Sequence, residues 1–454
     1  MGKRLMLMLV CALIVGLALP AFAEVQNVKV SGDMTMYGIS RSGFDVGDTQ
    51  QKADDTESHA ATITRLRIDA DLTENVGATI RLLNERDWNQ EAGTSNDVVL
   101  DLASVTLKEF LYSPLTLTLG RQEIQFGNGF IVGDPDTNNN ANGSTLTDFD
   151  LSSKKAFDAV RATLNYDPLV VDLIWAKIDE NTVLGTNTNT EKDDIDLFGV
   201  NARYDFGGNW KTIGEMYYFG KVDNSVRDTN AAEPVNKKAT KVNTIGARAE
   251  VSPTERLNLQ GETAYQFGEY NDGAVGTQSN SNISAWAAQG IATYALDMKY
   301  SPVLSAIYSY YACGNDGNAA KSWDPMFENQ TSGHIANVLF NATQSHVLNL
   351  RGSIVPAEDM KLTLDYVWLE LARDLPAGSV IATRSQDHTQ VVHTYNPGNT
   401  HLGDEIDLTL SYDYTEDVQL SLMAGYFKPG QAFDVSDNRF GDVKEVIASV
   451  KVSF

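Results

Sequence analysis

Residues Val443 to Phe454 read VKEVIASVKVSF, and their polarity alternates with a period of two. One parity is mostly apolar and consists of Lys444, Val446, Ala448, Val450, Val452 and Phe454. The other carries Glu445, Ser449, Lys451 and Ser453. Because a β-strand places successive side chains on opposite faces, the segment predicts a strand with one mostly apolar face. Such a strand could close either a soluble β-domain or a barrel embedded in a membrane.

The other end of the chain indicates export. Lys3 and Arg4 precede an apolar stretch from Leu5 to Leu19, and Ala21-Phe22-Ala23 then supplies small residues before Glu24. This pattern predicts a secretory signal peptide over residues 1–23, with cleavage after Ala23. Residues 24–454 are then the mature chain, and its one cysteine, Cys313, cannot form an internal disulfide.

Charge and hydropathy narrow the class further. The sequence has 35 Lys and Arg against 60 Asp and Glu, a net charge of −25. Without Lys3 and Arg4 the mature chain is at −27, so nucleic-acid binding, which needs a basic surface, is not expected. After the signal peptide no run of 18 apolar residues suggests a spanning helix. A membrane barrel, whose hydrophobicity is hidden in alternation, remains compatible with this composition.

Segments with a period of two recur along the whole mature chain. Eighteen strands are predicted at about 28–40, 60–72, 77–87, 98–110, 115–126, 156–166, 169–178, 194–206, 210–222, 241–251, 257–270, 283–300, 303–312, 344–355, 360–373, 404–414, 418–428 and 443–454. Tight turns and long polar loops alternate between them, as in outer-membrane barrels with short periplasmic turns and long extracellular loops. Strand boundaries from sequence carry an error of a few residues, so 16 strands are also compatible.

The predicted fold is therefore an all-β, antiparallel, up-and-down transmembrane barrel. Hydrocarbon offers no hydrogen-bond partner to an open sheet edge, so the first strand must pair with the last. Parity assigns Ile406, Leu408 and Leu410 to the lipid face and Glu405 and Asp407 to the interior. The aromatic Phe454 is the expected contact for the barrel-assembly machinery, and the surrounding partner is outer-membrane lipid.

Three segments carry a more specific signal: LTLTLGRQEIQFGNG at Leu115–Gly129, SWDPMF at Ser322–Phe327, and LGDEIDLTLSYDYTEDVQLSLMAGYFKPG at Leu402–Gly430. In this order they resemble the alginate-export-type outer-membrane porins. The resemblance extends along almost the full mature chain and implies an 18-stranded barrel that carries solutes across the outer membrane of a Gram-negative-type bacterium. It does not imply alginate itself as the solute.

The inward parity collects charges of both signs. Candidate pore-lining selectivity residues are Arg65, Arg67, Arg81, Glu85, Arg121, Glu123, Arg161, Arg203, Arg248, Glu262, Arg351, Asp365, Glu405 and Asp407. On the lipid face an arginine at the midplane would cost about 2–4 kcal/mol, whereas a water-filled lumen accepts it. The arginines and carboxylates could create an electric field across the lumen that selects solutes, or they could form ion pairs that stiffen the wall. Their balance suits small neutral or weakly charged solutes better than a polyanion.

Two long loops, 127–155 and 314–343, are long enough to enter the lumen or to cover its mouth; we expect at least one to constrict the passage. Asp134, Asp136, Asn138 and Asn140 alternate as calcium ligands can, but the run lacks the Gly and Glu of an EF-hand loop, so a polar loop is preferred. The six histidines, candidates for an outer-membrane enzyme, are His59, His334, His346, His388, His393 and His401. None forms a recognisable triad in sequence.

The sequence thus predicts a passive porin for small polar or charged solutes, which include saccharides, with no cofactor, no metal and no catalytic residue. The alternatives are a gated polysaccharide exporter, an outer-membrane enzyme and a barrel that shields a partner. Transport direction, ion selectivity and oligomeric state are left open.

Overall fold

The structure, a computed structural model, describes residues 27–44, 56–88, 97–136, 146–179, 194–224, 239–271, 280–314, 321–384, 390–433 and 441–454. The predicted signal peptide, residues 1–23, lies outside this part of the chain.

Eighteen antiparallel strands form one sheet that closes on itself. They are β1 (Asn27–Ser42), β2 (Thr56–Thr73), β3 (Val76–Asp87), β4 (Val99–Leu107), β5 (Leu115–Glu123), β6 (Ala156–Asn165), β7 (Leu169–Asp179), β8 (Ile195–Gly207), β9 (Thr212–Asp223), β10 (Thr240–Thr254), β11 (Leu257–Asn271), β12 (Asn280–Ala295), β13 (Val303–Tyr311), β14 (Ser345–Ala357), β15 (Met360–Leu371), β18 (His401–Thr415), β19 (Val418–Pro429) and β20 (Val443–Ser453). Each strand pairs with its neighbour in the chain, which confirms the predicted count and the up-and-down order.

The first and last strands close the barrel. β1 pairs with β20 from Asp33 opposite Ser453 to Ser42 opposite Lys444. The chain then continues the pairing for one more residue, since Gly32 and Phe454 exchange two backbone hydrogen bonds of 2.9 Å. The sheet therefore leaves no edge between its two ends, as a strand assembly in hydrocarbon requires.

The alternation read from the sequence sets the two faces of the wall. Along β20, Val443, Glu445 and Ile447 are buried toward the interior, while Val446 and Val450 are exposed on the outer surface. A band of exposed Leu, Ile, Val and aromatic side chains surrounds the barrel in the same way. An apolar surface of this extent is costly in water and is stable in a bilayer.

Tight turns join the strands at one end of the barrel and long loops at the other. Between β8 and β9 the chain reverses at Gly207 and Gly208, both at positive φ, which glycine adopts without steric cost. β4 ends at Leu107, three residues before the predicted end, because Glu109 and Leu111 have left-handed backbone conformations that do not continue a strand.

One long loop contains structure that the sequence analysis missed. Residues 374–403 were expected to be loop, but a hairpin of β16 (Val380–Arg384) and β17 (Gln390–Thr394) lies within them. Five residues give barely two alternations, too few for periodicity to separate a strand from a loop. The loop between β13 and β14 contains the short helix α1 (His334–Leu339). No helix in the described part of the chain is long and apolar enough to cross a membrane.

Candidate functional site

Two long loops fold into the lumen in its long-loop half. We call their described inward parts, residues 124–136, 146–155 and 321–344, the plug. The two loops join through a parallel bridge between Val132 and Phe327. Phe327 donates its N–H to Ile131 O at 3.0 Å and accepts from Gly133 N at 2.7 Å. Both loops therefore enter the lumen, and the expected constriction by at least one of them is present.

The plug packs against the inner wall through aromatic side chains. Phe126 stacks on Phe219 of β9, with ring centroids 5.4 Å apart, and Phe130 stacks on Tyr311 of β13 at 5.8 Å. Phe327 meets Phe157 of β6 edge to face at 6.3 Å. These rings belong to one buried apolar cluster that includes wall and plug residues. The barrel thus encloses a hydrophobic core of its own, separate from its lipid-facing surface.

Buried carboxylates anchor the plug to the wall. Glu405 of β18 accepts the N–H groups of Ile335 and Ala336, both at 2.7 Å, and Asp407 accepts that of His334 at 3.2 Å. These donors lie in the first turn of α1, whose N–H groups have no partner within the helix. Glu405 and Asp407, expected from parity to point inward, do so and hold the helix in place.

The other loop is held in the same manner. Glu85 of β3 accepts from Ser152 Oγ at 2.9 Å and from Ser153 N at 2.7 Å. Asp87 accepts from Thr147 N at 2.8 Å. Inward carboxylates near the long-loop ends of the strands therefore position both loops of the plug.

A network of charged residues where the first and last strands meet was not predicted from the sequence. Arg41 of β1, only 1% exposed, contacts Glu445 of β20 and bonds Asp148 at 2.5 Å and Asp150 at 2.8 Å. It thereby joins the two closing strands to the plug. Arg41 lies one residue beyond the predicted end of the first strand, 28–40, so parity gave it no face. Its pairing with Glu445 depends on barrel closure, and the aspartates come from a distant loop.

Most of the predicted arginines have carboxylate partners. The ion pairs are Arg65–Asp33 at 3.0 Å, Arg67–Asp69 at 2.7 Å, Arg81–Asp101 and Arg81–Glu123 both at 2.5 Å, Arg121–Asp158 at 2.9 Å, Arg161–Asp172 at 2.8 Å and Arg351–Asp365 at 2.7 Å. Paired rows of this kind give the lumen a wall of alternating charge.

β8 to β11 carry a further group of these residues. Arg248 bonds Glu215 at 2.7 Å and Glu250 at 2.6 Å, and Glu262 accepts from Tyr217 Oη at 2.7 Å. Arg203 lies opposite Glu215 in the β8–β9 register and is half-buried. The group lies beside the plug, since the backbone of Gly127 approaches both Arg248 and Glu262.

Exposure varies widely within the predicted set. The side chains of Arg351 and Arg67 are 43% and 42% exposed. Those of Arg81 and Arg248 are 8% and 7% exposed, and Glu405 is fully buried. Glu123 is 49% exposed, and Arg65, Arg121 and Arg161 are 24%, 22% and 29% exposed. Arg67, Arg351 and Glu123 are therefore the members most open to the solvent of the lumen.

Two carboxylic acids in the plug have strongly altered acidity. Burial, together with the charge of Asp134, raises the pKa of Glu328 to about 8. The same two causes raise the pKa of Asp136 to about 8. Both side chains hold a proton at neutral pH while the plug is in place.

The candidate metal and enzyme residues occupy other environments. Asp134 pairs with Lys155 at 3.0 Å, and residues 138 and 140 of the alternating run lie outside the described chain. Among the residues that the structure describes, no group of three or more His, Cys, Asp or Glu could hold a metal ion.

Four of the five described histidines have side-chain contacts with hydroxyls or carboxylates, and His334 contacts Asp407 through its backbone N–H. His59 lies 2.6 Å from Asp148, His393 2.8 Å from Thr383 and His401 2.8 Å from Asp404. His346 lies 2.6 Å from Tyr308. His388 lies outside the described residues.

Comparison with solved structures finds the same architecture in porins of Pseudomonas aeruginosa. OccK2 (OpdF), solved in complex with glucuronate, superposes with a TM-score of 0.56 at 11% identity, covering 95% of this chain and 99% of that one. OpdK gives 0.56 at 9% identity, with the same coverage, and OccK5 (OpdH) gives 0.55 at 12%, covering 95% and 98%.

These structural likenesses establish the fold. Among curated proteins no sequence is significantly similar. The family described as "Alginate export" matches residues 31–443, nearly the whole chain. This chain therefore belongs to the alginate export family and is an outer-membrane channel.

Proposed function

We propose that the protein passes small polar or charged solutes, saccharides among them, passively and without covalent chemistry. The observation that carries this proposal is the division of the lumen. A plug fills the long-loop half, and below it solvent-exposed arginines face carboxylates across the wall. A polar, water-lined passage below a constriction can select solutes by size and charge and needs no cofactor. The contacts of the described histidines are consistent with structural roles.

Within this passage we assign selectivity to the exposed members of the predicted set. Arg67 and Arg351 can meet a passing ion, because nearly half of each side chain is solvent-accessible. The buried members, among them Glu405 and Arg248, act by holding the plug and the wall in register. The field in the passage below the plug is therefore set mainly by its exposed residues, although many others are charged.

The interlocked plug favours a second function, a gated exporter. Both loops would have to move together, since Val132 and Phe327 join them. A channel of this kind would show long closed periods, whereas a passive porin stays open. We also propose that residues 1–23 are removed on export and that Phe454 is recognised by the barrel-assembly machinery. The two backbone hydrogen bonds between Phe454 and Gly32 support a role of Phe454 in barrel closure.

Single-channel recording of the refolded mature chain in a planar bilayer under a salt gradient tests the proposal. Stable conductance steps with a finite reversal potential are expected. Arg351→Glu should shift the reversal potential toward cation selectivity. Opposite charges 4 Å apart in water interact by about 1 kcal/mol, enough for a several-fold change in relative permeability. Arg67→Glu should act in the same direction.

A matched control replaces a cation outside the lumen. Arg256 pairs with Asp297 at the tight-turn rim, where both side chains are at least half exposed. Arg256→Glu should leave the reversal potential nearly unchanged. A folded barrel without conductance would refute the open porin, and long closed periods interrupted by large steps would favour the gated exporter. Unchanged selectivity in both lumen variants would remove Arg67 and Arg351 from the filter.

A further inference from the structure

A cavity of about 370 Å³ lies between the plug and the wall, on the long-loop side. The strand residues that line it, Lys221, Val242, Tyr270 and Ile283, lie near the long-loop ends of β9, β10, β11 and β12. The plug supplies the opposite side, from Ser322 to Met326 and from Asn341 to Gln344. A solute that arrives from this end therefore meets the cavity together with the plug residues that line it. Its volume is in the range of small-molecule sites.

An ion pair between Lys221 and Asp324 balances the charges of the residues that line the cavity. Lys221 Nζ lies 2.8 Å from Asp324 Oδ1 and 2.6 Å from Oδ2. Asp324 Oδ1 also accepts from Met326 N at 2.7 Å, which fixes the carboxylate in place. An anionic ligand would be attracted by Lys221 and repelled by Asp324. A cationic ligand would be attracted by Asp324 and repelled by Lys221. Neither gains net attraction to offset the loss of its own hydration.

The rest of the lining alternates hydrogen-bonding and apolar groups. Ser322, Asn341, Thr343 and Gln344 line it with hydroxyl and amide groups. Three of them already bond within the protein: Ser322 Oγ accepts from Gly314 N, Asn341 Oδ1 accepts from Arg384 Nη2, and Thr343 Oγ1 donates to Trp323 O. A ligand would share these groups, each of which can make more than one hydrogen bond. Tyr270 and Trp323 offer aromatic rings, and Val242 and Ile283 offer aliphatic surface. A sugar ring has hydroxyl groups around its rim and C–H groups on its two faces, so it can match both kinds of surface at once.

We propose that this cavity binds a neutral sugar ring. The proposal deepens the proposed function and rests on it, because it names the solute class that the channel receives at its long-loop mouth. Charge balance at Lys221 and Asp324 is the determinant that excludes the acidic and amino forms of the same ring.

Three probes of nearly the same ring test this directly: glucose, glucuronate and glucosamine. Binding to the refolded mature protein is measured by intrinsic tryptophan fluorescence, since Trp323 lines the cavity. This readout does not require conduction. Glucose should give a saturable response, with glucuronate and glucosamine weaker by about tenfold, the order of one charge-assisted hydrogen bond.

Two substitutions should reverse the ranking in opposite directions. Asp324→Asn leaves the positive charge of Lys221 uncompensated while its side-chain oxygen can still accept from Met326 N. Glucuronate should then gain about tenfold relative to glucose. Lys221→Met leaves the carboxylate of Asp324, so glucosamine should gain instead. Asp297→Asn breaks a comparable pair at the opposite rim and should alter none of the three affinities.

Several outcomes would overturn the proposal. They are no saturable response to glucose, glucuronate binding as tightly as glucose to the unaltered protein, or an unchanged ranking in both cavity variants. Bilayer recording of the same preparation separates this proposal from the proposed function. A conducting channel with no glucose binding rejects the sugar site alone, whereas glucose binding with no conductance rejects the porin and leaves a binding protein.

Discussion

Arg41 shows how one buried cation can hold the barrel closed. Its guanidinium lies among Asp148, Asp150 and Glu445, and the exchange of Arg41 for Leu would leave three acidic groups without their cation. Removal of one partner from a buried ion pair costs about 3–5 kcal/mol. We expect Arg41→Leu to lower the thermal unfolding temperature of the refolded barrel clearly, measured by far-UV circular dichroism in detergent.

The control for this variant is Arg256→Leu, which breaks the exposed pair with Asp297. Exposed pairs are worth about 0–1 kcal/mol, so its unfolding temperature should stay close to that of the unaltered protein. Equal effects of the two substitutions would mean that burial of Arg41 contributes nothing to stability.

Gly32 is required by the last residue of the closing strand. A Cβ atom at Gly32 would lie 2.6 Å from the Phe454 ring and 2.7 Å from Arg65 O. Gly32→Val should therefore displace the Phe454 ring or strain the seam, at a cost of about 1–3 kcal/mol typical of overpacking. The yield of folded barrel after refolding into detergent measures this. On the same strand, a Cβ at Gly38 would meet nothing within 4 Å, so Gly38→Val should fold normally. An equal loss of folded barrel in Gly38→Val would contradict the role assigned to the contact between Gly32 and Phe454.

At the scale of elements, the junction of the two plug loops is the most direct target. A Cβ at Gly133 would lie 2.6 Å from Cβ of Asn329, on the facing loop. Gly133→Val should push the loops apart and raise the single-channel conductance. Gly290→Val, at a strand position with no atom within 4 Å of the added Cβ, is the matched control and should conduct like the unaltered protein. Conductance that stays the same in Gly133→Val would show that the junction does not limit the passage.

The strands could be predicted from sequence because each one repeats a two-residue pattern long enough to detect. The direction of Glu405 and Asp407 followed from the same pattern. Their role did not, since it depends on α1, which begins about seventy positions earlier in the chain. The Arg41 network escaped prediction for the same reason: its aspartates come from a loop more than a hundred residues away. Local periodicity does not indicate which charges will be buried by long-range contacts.

The three segments that suggested the family all bear on the plug. GRQEIQFGNG leads into the loop that reaches Val132, SWDPMF ends at Phe327, and GDEID carries Glu405 and Asp407. The first two segments join the plug loops, and the third anchors α1. The resemblance therefore describes mainly how the lumen is filled, while the wall needs only alternation.

For the whole molecule, the acidity of the plug predicts a dependence of gating on pH. Glu328 is buried beside Asp134, Lys155, Arg384 and Tyr311, and its pKa of about 8 lies above the ordinary glutamate value of 4.5. Seating of the plug takes up a proton, so this contribution to its stability is complete below about pH 4.5 and is lost as pH rises through about 8. Asp136 acts in the same direction. Conductance or opening frequency should therefore rise from about pH 5 to about pH 9.

The double substitution Glu328→Gln and Asp136→Asn should flatten this response, because neither amide titrates. Glu109→Gln, an exposed position in a tight turn, should leave it intact. A pH response that persists in the double variant would assign the effect to groups outside the plug.

The hydrophobic core inside the barrel gives the molecule two nested cooperative units. The wall is stabilised by backbone pairing in lipid, and the plug by its contacts between Phe126, Phe130, Phe327 and the inner wall. Because these two sets of contacts are distinct, the plug can come apart while every strand pair persists. The wall can likewise form first and receive the loops afterwards. In a gated exporter, opening of the passage would be a local unfolding and refolding of the plug inside a wall that stays folded.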